Sequence, residues 1–172
     1  MNSIDFITIL GNISQALIPV QNLVTGLSYL LGIVFFISAV MKFKAIGEKG
    51  SQEKVYVPLV YLAFGVGLIY LPSAMSTMAN TVFGVGNVLT YSDYNTGSVY
   101  SAMLVIIRTT GLIWFVRGSV LLAHASRPGV QEGPKGLVFM SAGILSMNID
   151  TTVAMVNTIV NKLIHWTMDI TS

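Results

Sequence analysis

The chain has 172 residues, 53% of them apolar and 9% charged, with a formal net charge of +2 and no cysteine. A soluble domain carries about 25% charged residues, so this chain is too poor in charge to face water on its own and needs a membrane or a large assembly as its solvent. The lack of cysteine excludes disulfides, thiolate metal sites and a cysteine nucleophile, and so small a net charge says nothing about nucleic acid.

Residues 3–18 read as a short amphipathic helix ending near Pro19, with Ile4, Ile7, Leu10, Ile13 and Leu17 at helical spacing. Met1-Asn2-Ser3-Ile4-Asp5 lacks the positive region that opens a secretory signal. Residues 22–41 form a first apolar span, inside a stretch, 6–41, that holds no charge. A helix needs about 20 apolar residues to cross the hydrocarbon core. The loop 42–56 sets Lys42, Lys44, Lys49 and Lys54 against Glu48 and Glu53. Pro58 suits the first turn of a second span. That span should break or kink at Pro72, because proline removes a hydrogen bond and clashes with the preceding turn. Residues 73–89 continue as a second helical piece, and Tyr91 to Ser98, with Asp93, Asn95 and Gly97, turn the chain. A third span runs from near Val99 to Ala123, followed by a loop, 124–135, with Arg127-Pro128-Gly129 and Gly133-Pro134. The fourth apolar stretch starts at Gly136 and meets Asp150 too soon to cross a bilayer alone, so the helix is expected to continue through 151–168 to complete a crossing.

These elements repeat, and periodic self-similarity is a signature of architecture. Gly32-Ile33-Val34-Phe35-Phe36-Ile37 falls on Gly111-Leu112-Ile113-Trp114-Phe115-Val116, and Gln52-Glu53 falls on Gln131-Glu132, both at an offset of 79 in the numbering. Asn80-Thr81-Val82 falls on Asn157-Thr158-Ile159 at an offset of 77. The expected fold is an all-α membrane protein of two fused helical hairpins, a parallel internal duplication, plus an N-terminal amphipathic helix. Residues 1–90 form the first repeat and 91–172 the second.

Six of the nine lysines and arginines lie in the two hairpin loops, at Lys42, Lys44, Lys49, Lys54, Arg127 and Lys135. Asp5, Asp93, Asp150 and Asp169 map toward the other side. The positive-inside rule then puts both loops in the cytoplasm and both termini outside, so the two halves share one orientation, unlike the inverted repeats of many transporters. The loops have two readings. They attract anionic phospholipid headgroups, at about 1 kcal/mol per basic residue near the surface, or they only set topology. They lack interleaved aromatics for base stacking, so nucleic acid enters only as passing cargo that feels a positive field.

Arg108 and Arg117 sit inside the third span. A central arginine costs about 3 kcal/mol on insertion scales and is usually paired, water-facing or functional. Arg117 can snorkel to the inner interface. Arg108 and Asp150 fall at nearly the same depth of an antiparallel hairpin and are expected to form an intramembrane charge pair. The alternative leaves Arg108 near the outer interface without a fixed partner. Nine residues separate the two arginines, about two and a half turns, so they leave the helix on opposite faces. His124 reads as a loop-edge residue, and His165 beside Trp166 as part of an interfacial aromatic belt. Phe64-Gly65-Val66-Gly67 and Phe83-Gly84-Val85-Gly86 lack the strand and third glycine of a dinucleotide fingerprint and suit close helix packing instead, as do Ser28 with Gly32 and Ala142 with Ser146. No catalytic constellation, cofactor motif or metal-ligand spacing stands out, so no enzyme is expected.

The loop with Arg127-Pro128-Gly129, the Gly136-Leu137-Val138 restart and the Gly143-Ile144-Leu145-Ser146-Met147-Asn148-Ile149-Asp150 segment resemble the IcmC/DotE family of type IVB secretion systems and the related TraQ-like proteins of plasmid conjugation. The resemblance covers about a quarter of the chain, Gly111 to Asp150, and the rest by hydropathy only. Each half is also similar to a conjugative pilin, which runs short helix, helix, basic loop, helix and assembles helically with lipid. The chain departs from that pattern in carrying two hairpins and no evident cleaved leader. The resemblance implies a subunit of a conjugative apparatus in a bacterial inner membrane, exported into a pilus or forming a channel. Its partners would be itself, phospholipid and other conjugal transfer proteins. An inner-membrane scaffold or assembly factor, and a small pore or transporter unrelated to conjugation, are the alternatives.

Overall fold

The computed structural model describes residues 3–48, 54–83 and 99–171. These form six helices: α1 (Ser3–Gly47), α2 (Tyr56–Ile69), α3 (Leu71–Phe83), α4 (Val99–Ala125), α5 (Gly133–Met147) and α6 (Ile149–Thr171). The described residues contain no strand, in keeping with the all-α expectation. Lys49, Glu53, Gly84, Gly86 and the turn 91–98 lie outside them. Two helices are long and apolar enough to cross a membrane, Thr8–Gly47 and Val99–Ala125, and a third crossing results if α5 and α6 are taken as one bent span.

The first correction concerns the N-terminus. No separate helix ends at Pro19, because α1 runs unbroken through that proline. Pro19 has no N–H to give to the carbonyl of Gln15, a loss worth about 3 kcal/mol inside a helix. Packing on both sides offsets it. Ser14 is fully buried, and Gln21 Nε2 donates to Thr109 Oγ1 at 2.7 Å. At 1.5 Å per residue α1 is about 68 Å long, more than twice the ~30 Å of a hydrocarbon core.

α1 packs antiparallel on α2, and α4 on α5, and each pair closes through facing glycines. A Cβ on Gly32 would lie 2.7 Å from the Gly65 carbonyl oxygen, and one on Gly65 would lie 3.0 Å from the Phe36 nitrogen. The same atoms meet in the other pair. A Cβ on Gly111 would lie 2.9 Å from the Gly143 oxygen, and one on Gly143 would lie 2.7 Å from the Phe115 nitrogen. Gly32 and Phe36 reappear as Gly111 and Phe115 at the offset of 79, and Gly65 reappears as Gly143 at an offset of 78. Small residues let helix backbones approach this closely. Gly67, by contrast, faces open space.

The helix breaks recur with the same spacing. α2 ends at Tyr70 (φ −100°, ψ 41°), whose N–H still bonds Val66 O. α5 ends at Asn148 (φ −107°, ψ 43°), whose N–H bonds Ile144 O. The causes differ. After Tyr70 the chain meets Pro72, which brings no donor. After Asn148 no proline follows, and side chains do the work. Asn148 Nδ2 donates to Ile144 O at 3.0 Å, and Thr152 Oγ1 reaches back along the chain to Leu145 O at 2.9 Å. These bonds satisfy carbonyls at a helix end. The second correction follows: α6 does not continue α5 in line but leaves it at 96°. Residues 153–168 of α6 are exposed, with Val153, Val156, Val160 and Leu163 along one face and Asn157, Asn161 and His165 along the other.

The two pairs stand side by side in the same sense. Gln21 meets Thr109, and further along both helices the Phe35 ring meets the His124 ring at 6.1 Å. Both contacts advance together, so α1 and α4 run parallel. Their contact register exceeds the recurrence offset by nine or ten positions, so the α4–α5 pair is slid about 14 Å toward the N-terminal end of α1.

Candidate functional site

Three clusters hold the polar and aromatic chemistry. The first joins α4 to the start of α6. Arg108 Nη2 lies 2.6 Å from Asp150 Oδ2, and Tyr100 donates to Asp150 Oδ1 at 2.8 Å. The break at Asn148 swings Asp150 onto the side of α4, which is why two residues so far apart in sequence meet. Each carboxylate oxygen thus has its own donor. Charge-assisted bonds of this length are among the stronger ones, and the pair neutralises two charges that would each be costly in lipid.

The second cluster lies where the two hairpin ends converge. Tyr61 is buried at its centre, edge-on to Phe35 with centroids 5.4 Å apart. Lys42 Nζ lies 5.8 Å from its ring and the Arg127 guanidinium 5.3 Å, while the His124 ring stands 6.5 Å away. Arg127 arrives there on a turn that closes at Gly129, whose φ of +84° suits glycine. The Tyr61 hydroxyl has no hydrogen-bond partner among the described residues. Around this centre Lys44 pairs with Glu48 at 3.9 Å on the surface, Lys54 sits 6.0 Å from the Tyr56 ring, and Lys135 lies exposed in the first turn of α5.

The third cluster is on α4 and α5. Trp114 stands edge-on to Phe139 at 6.1 Å, and the Arg117 guanidinium overlies Phe139 at 4.7 Å. Their spacing sends Arg108 and Arg117 from opposite faces of α4, yet both heads reach the α5–α6 side. Their long stems bend back over the helix.

Sequence reasoning named the basic residues but missed the aromatic ones that organise them. Tyr100 reads as nothing more than the start of a span, and Tyr61 as one more apolar residue. The signal for Tyr61 lay in the repeat: Phe35 and Tyr61 stand to the first pair as Trp114 and Phe139 do to the second, at offsets of 79 and 78. No group of three or more histidine, aspartate or glutamate side chains that could hold a metal occurs among the described residues.

No model of a known protein family matches this chain, and neither does a curated protein or a solved structure.

Proposed function

We propose that this chain is a membrane-embedded structural subunit of a conjugative, type IVB-like transfer apparatus, and that it assembles with itself into a pilus or translocation channel. The assignment to conjugation rests on the resemblance of the segment 111–150. The assembly role rests on one observation: two helix pairs with the same glycine crossing and the same helix break lie parallel in one chain, offset along their axes. On this reading they are two copies of one hairpin, residues 1–90 and 91–172, fused by duplication. Its basic ends, with Lys42, Lys44, Lys49, Lys54, Arg127 and Lys135, face anionic phospholipid or a lumen. Arg108 and Asp150 carry their charges through the apolar layer as a pair, and Arg117 serves the inner interface.

A second reading is an inner-membrane scaffold of the same machine. The exposed amphipathic α6, bent 96° from α5, favours it, since such a helix suits the plane of a membrane surface. Shearing donor cells and identifying the filament subunits by mass spectrometry separates the two. The full-length chain as main component, with phospholipid, supports the pilus. Retention in the inner membrane beside other transfer proteins at fixed stoichiometry supports the scaffold.

A further inference from the structure

In this chain one hairpin covers an aromatic pair on the other, and the equivalent pair on the second hairpin is left open. Phe35 is 6% exposed beneath His124 of α4, and Tyr61 is 1% exposed beneath His124 and Arg127. Their counterparts are Trp114, 38% exposed, and Phe139, half-buried. The reverse asymmetry holds on the partner face. Thr109 of α4 is 2% exposed at its contact with Gln21 of α1, while its counterpart in the first repeat, Leu30, is 57% exposed. Ser119 and Ala102 are likewise buried in α4, while Val40 and Leu23 are exposed in α1. Each hairpin therefore carries two different faces. The one on the first hairpin that receives α4 is filled and its equivalent on the second is empty. The one on the second that docks is used, and its equivalent on the first is free.

We infer that the open face of α4 and α5 receives α1 of a second copy of this chain, repeating between molecules the contact that joins the two hairpins within one. The inference rests on the self-assembling, duplicated subunit proposed above and specifies its interface. Applying the internal register names the meeting points. Phe35 with His124 becomes Trp114 with Ala45 of the next copy. Gln21 with Thr109 becomes Tyr100 with Leu30 of the next copy. Tyr61 with Arg127 becomes Phe139 with Glu48 of the next copy. The charges agree with the last of these, because Arg117 already overlies the Phe139 ring and the incoming side chain is a carboxylate. Among the described residues, the Glu48 carboxylate meets Lys44 in a long, exposed contact. In lipid, the rim pair of opposite charge would also fix the register of two otherwise apolar faces.

The contact is heterologous, one face on a different one, so it propagates and does not close by two-fold symmetry. Each hairpin is also displaced about 14 Å along the helix axes from the one before it. A flat ring in a membrane accommodates no such continued displacement, whereas a rising helical array does.

The chain has no cysteine, so cross-linking at chosen positions reads the interface directly. Full-length protein carrying Ala45→Cys and Trp114→Cys is oxidised in its native membrane and run on a non-reducing gel. A ladder of dimers, trimers and higher species is expected. A second variant, Leu30→Cys with Tyr100→Cys, should give the same ladder, which guards against local disruption at Trp114. Each single-cysteine chain should stay monomeric on the gel. A strong dimer from Trp114→Cys alone would mean two-fold packing and would overturn the inference. Multimers seen with an amine-reactive cross-linker but no cysteine ladder from either variant would overturn this interface and leave self-assembly standing. A chain that stays monomeric by both chemistries would sink the assembly reading as well. Arg117→Glu should reduce the ladder at least threefold, and Glu48→Arg in the same chain should restore it.

Discussion

The two helix pairs share a crossing but not a tightness. α1 and α2 approach at one pair of glycines, Gly32 and Gly65. α4 and α5 approach at two, Gly111 with Gly143 and Gly118 with Gly136. The positions that match the second pair are Ala39 and Pro58, both buried but bulkier. Two glycine contacts thus bring the backbones of α4 and α5 together, whereas toward the loop end α1 and α2 meet through side chains, with Phe35 and Tyr61 buried there and Arg127 from the other pair over the Tyr61 ring. The α4–α5 pair is sealed by glycines, and the α1–α2 pair receives a side chain from its neighbour.

The largest effect is expected where the seal is tightest. A Cβ on Gly118 would lie 2.5 Å from the Met140 nitrogen, a backbone atom that cannot step aside. Gly118→Leu should cost about 3 kcal/mol or more, at the upper end of overpacking penalties, and separate α4 from α5. Denaturant titration in detergent, followed by Trp114 fluorescence in a Trp166→Phe background, measures it. Gly67→Leu, which meets nothing within 4 Å, is the control and should leave stability within about 0.5 kcal/mol. Equal losses at both positions would mean that the two pairs do not differ as described.

Much of this architecture was legible in the sequence, and the illegible part has physical causes. The break beside Pro72, the turn at Arg127-Pro128-Gly129 and the recurrence of Gly32 at Gly111 follow from residues whose chemistry is local, proline, glycine and charge, whereas the loop expected from residue 42 starts later, because α1 stays helical to Gly47 and carries Lys42 and Lys44. The glycine contacts between Gly65 and Gly143 and their partners were within reach as small-residue packing, though only geometry told Gly65 from Gly67. Pro19 misled, because a local rule for ending helices yielded to packing on both sides of it. The bend at Asn148 was invisible for the opposite reason. It needs no proline, and is held by the Asn148 and Thr152 side chains on the Ile144 and Leu145 carbonyls, contacts that no local sequence rule announces. Tyr100 and Tyr61 were missed because an aromatic residue in an apolar span has no periodic signature of a polar role.

The charge cluster gives the next largest effect and compares two environments. Arg108→Met removes one partner of the pair with Asp150. A partly exposed pair in water contributes about 0–1 kcal/mol, whereas an unpaired charge at the centre of a bilayer costs about 3 kcal/mol. The loss should therefore be below about 1 kcal/mol in detergent and clearly larger in vesicles. Swapping the charges, Arg108→Asp with Asp150→Arg, should recover at least half of it. A loss of the same size in both media would place the pair outside the apolar layer.

A smaller change is expected at the two helix breaks, whose geometry matches although their causes differ. Thr152→Val removes the bond to Leu145 O, a net contribution of about 1 kcal/mol, and Asn148→Leu removes the one to Ile144 O. The double variant should open the 96° bend, lengthening the distance between spin labels at Val138 and Val160 of the full chain. Pro72→Ala returns a donor to the first break and should straighten α2 into α3. If the first break persists without its proline, the residue at Tyr70 and its neighbours hold it, and proline is only its companion.

The smallest effects compare the two rings directly. Arg127 overlies a buried Tyr61 and Arg117 a half-open Phe139, at 5.3 and 4.7 Å. Cation–π contacts at exposed sites contribute about 0.5–1 kcal/mol and more when desolvated. Arg127→Ala should therefore destabilise the isolated chain by about 1 kcal/mol, since it also uncovers Tyr61. Arg117→Ala should change the isolated chain by less than about 0.5 kcal/mol, the usual range for a surface substitution. In the assembled state the order is expected to reverse, because the Phe139 ring is then covered and Arg117 meets a carboxylate. Unfolding measured on the solubilised monomer and again on cross-linked multimers tests that reversal. Its absence would mean that the second ring stays uncovered, and that the difference between the hairpins has no part in assembly.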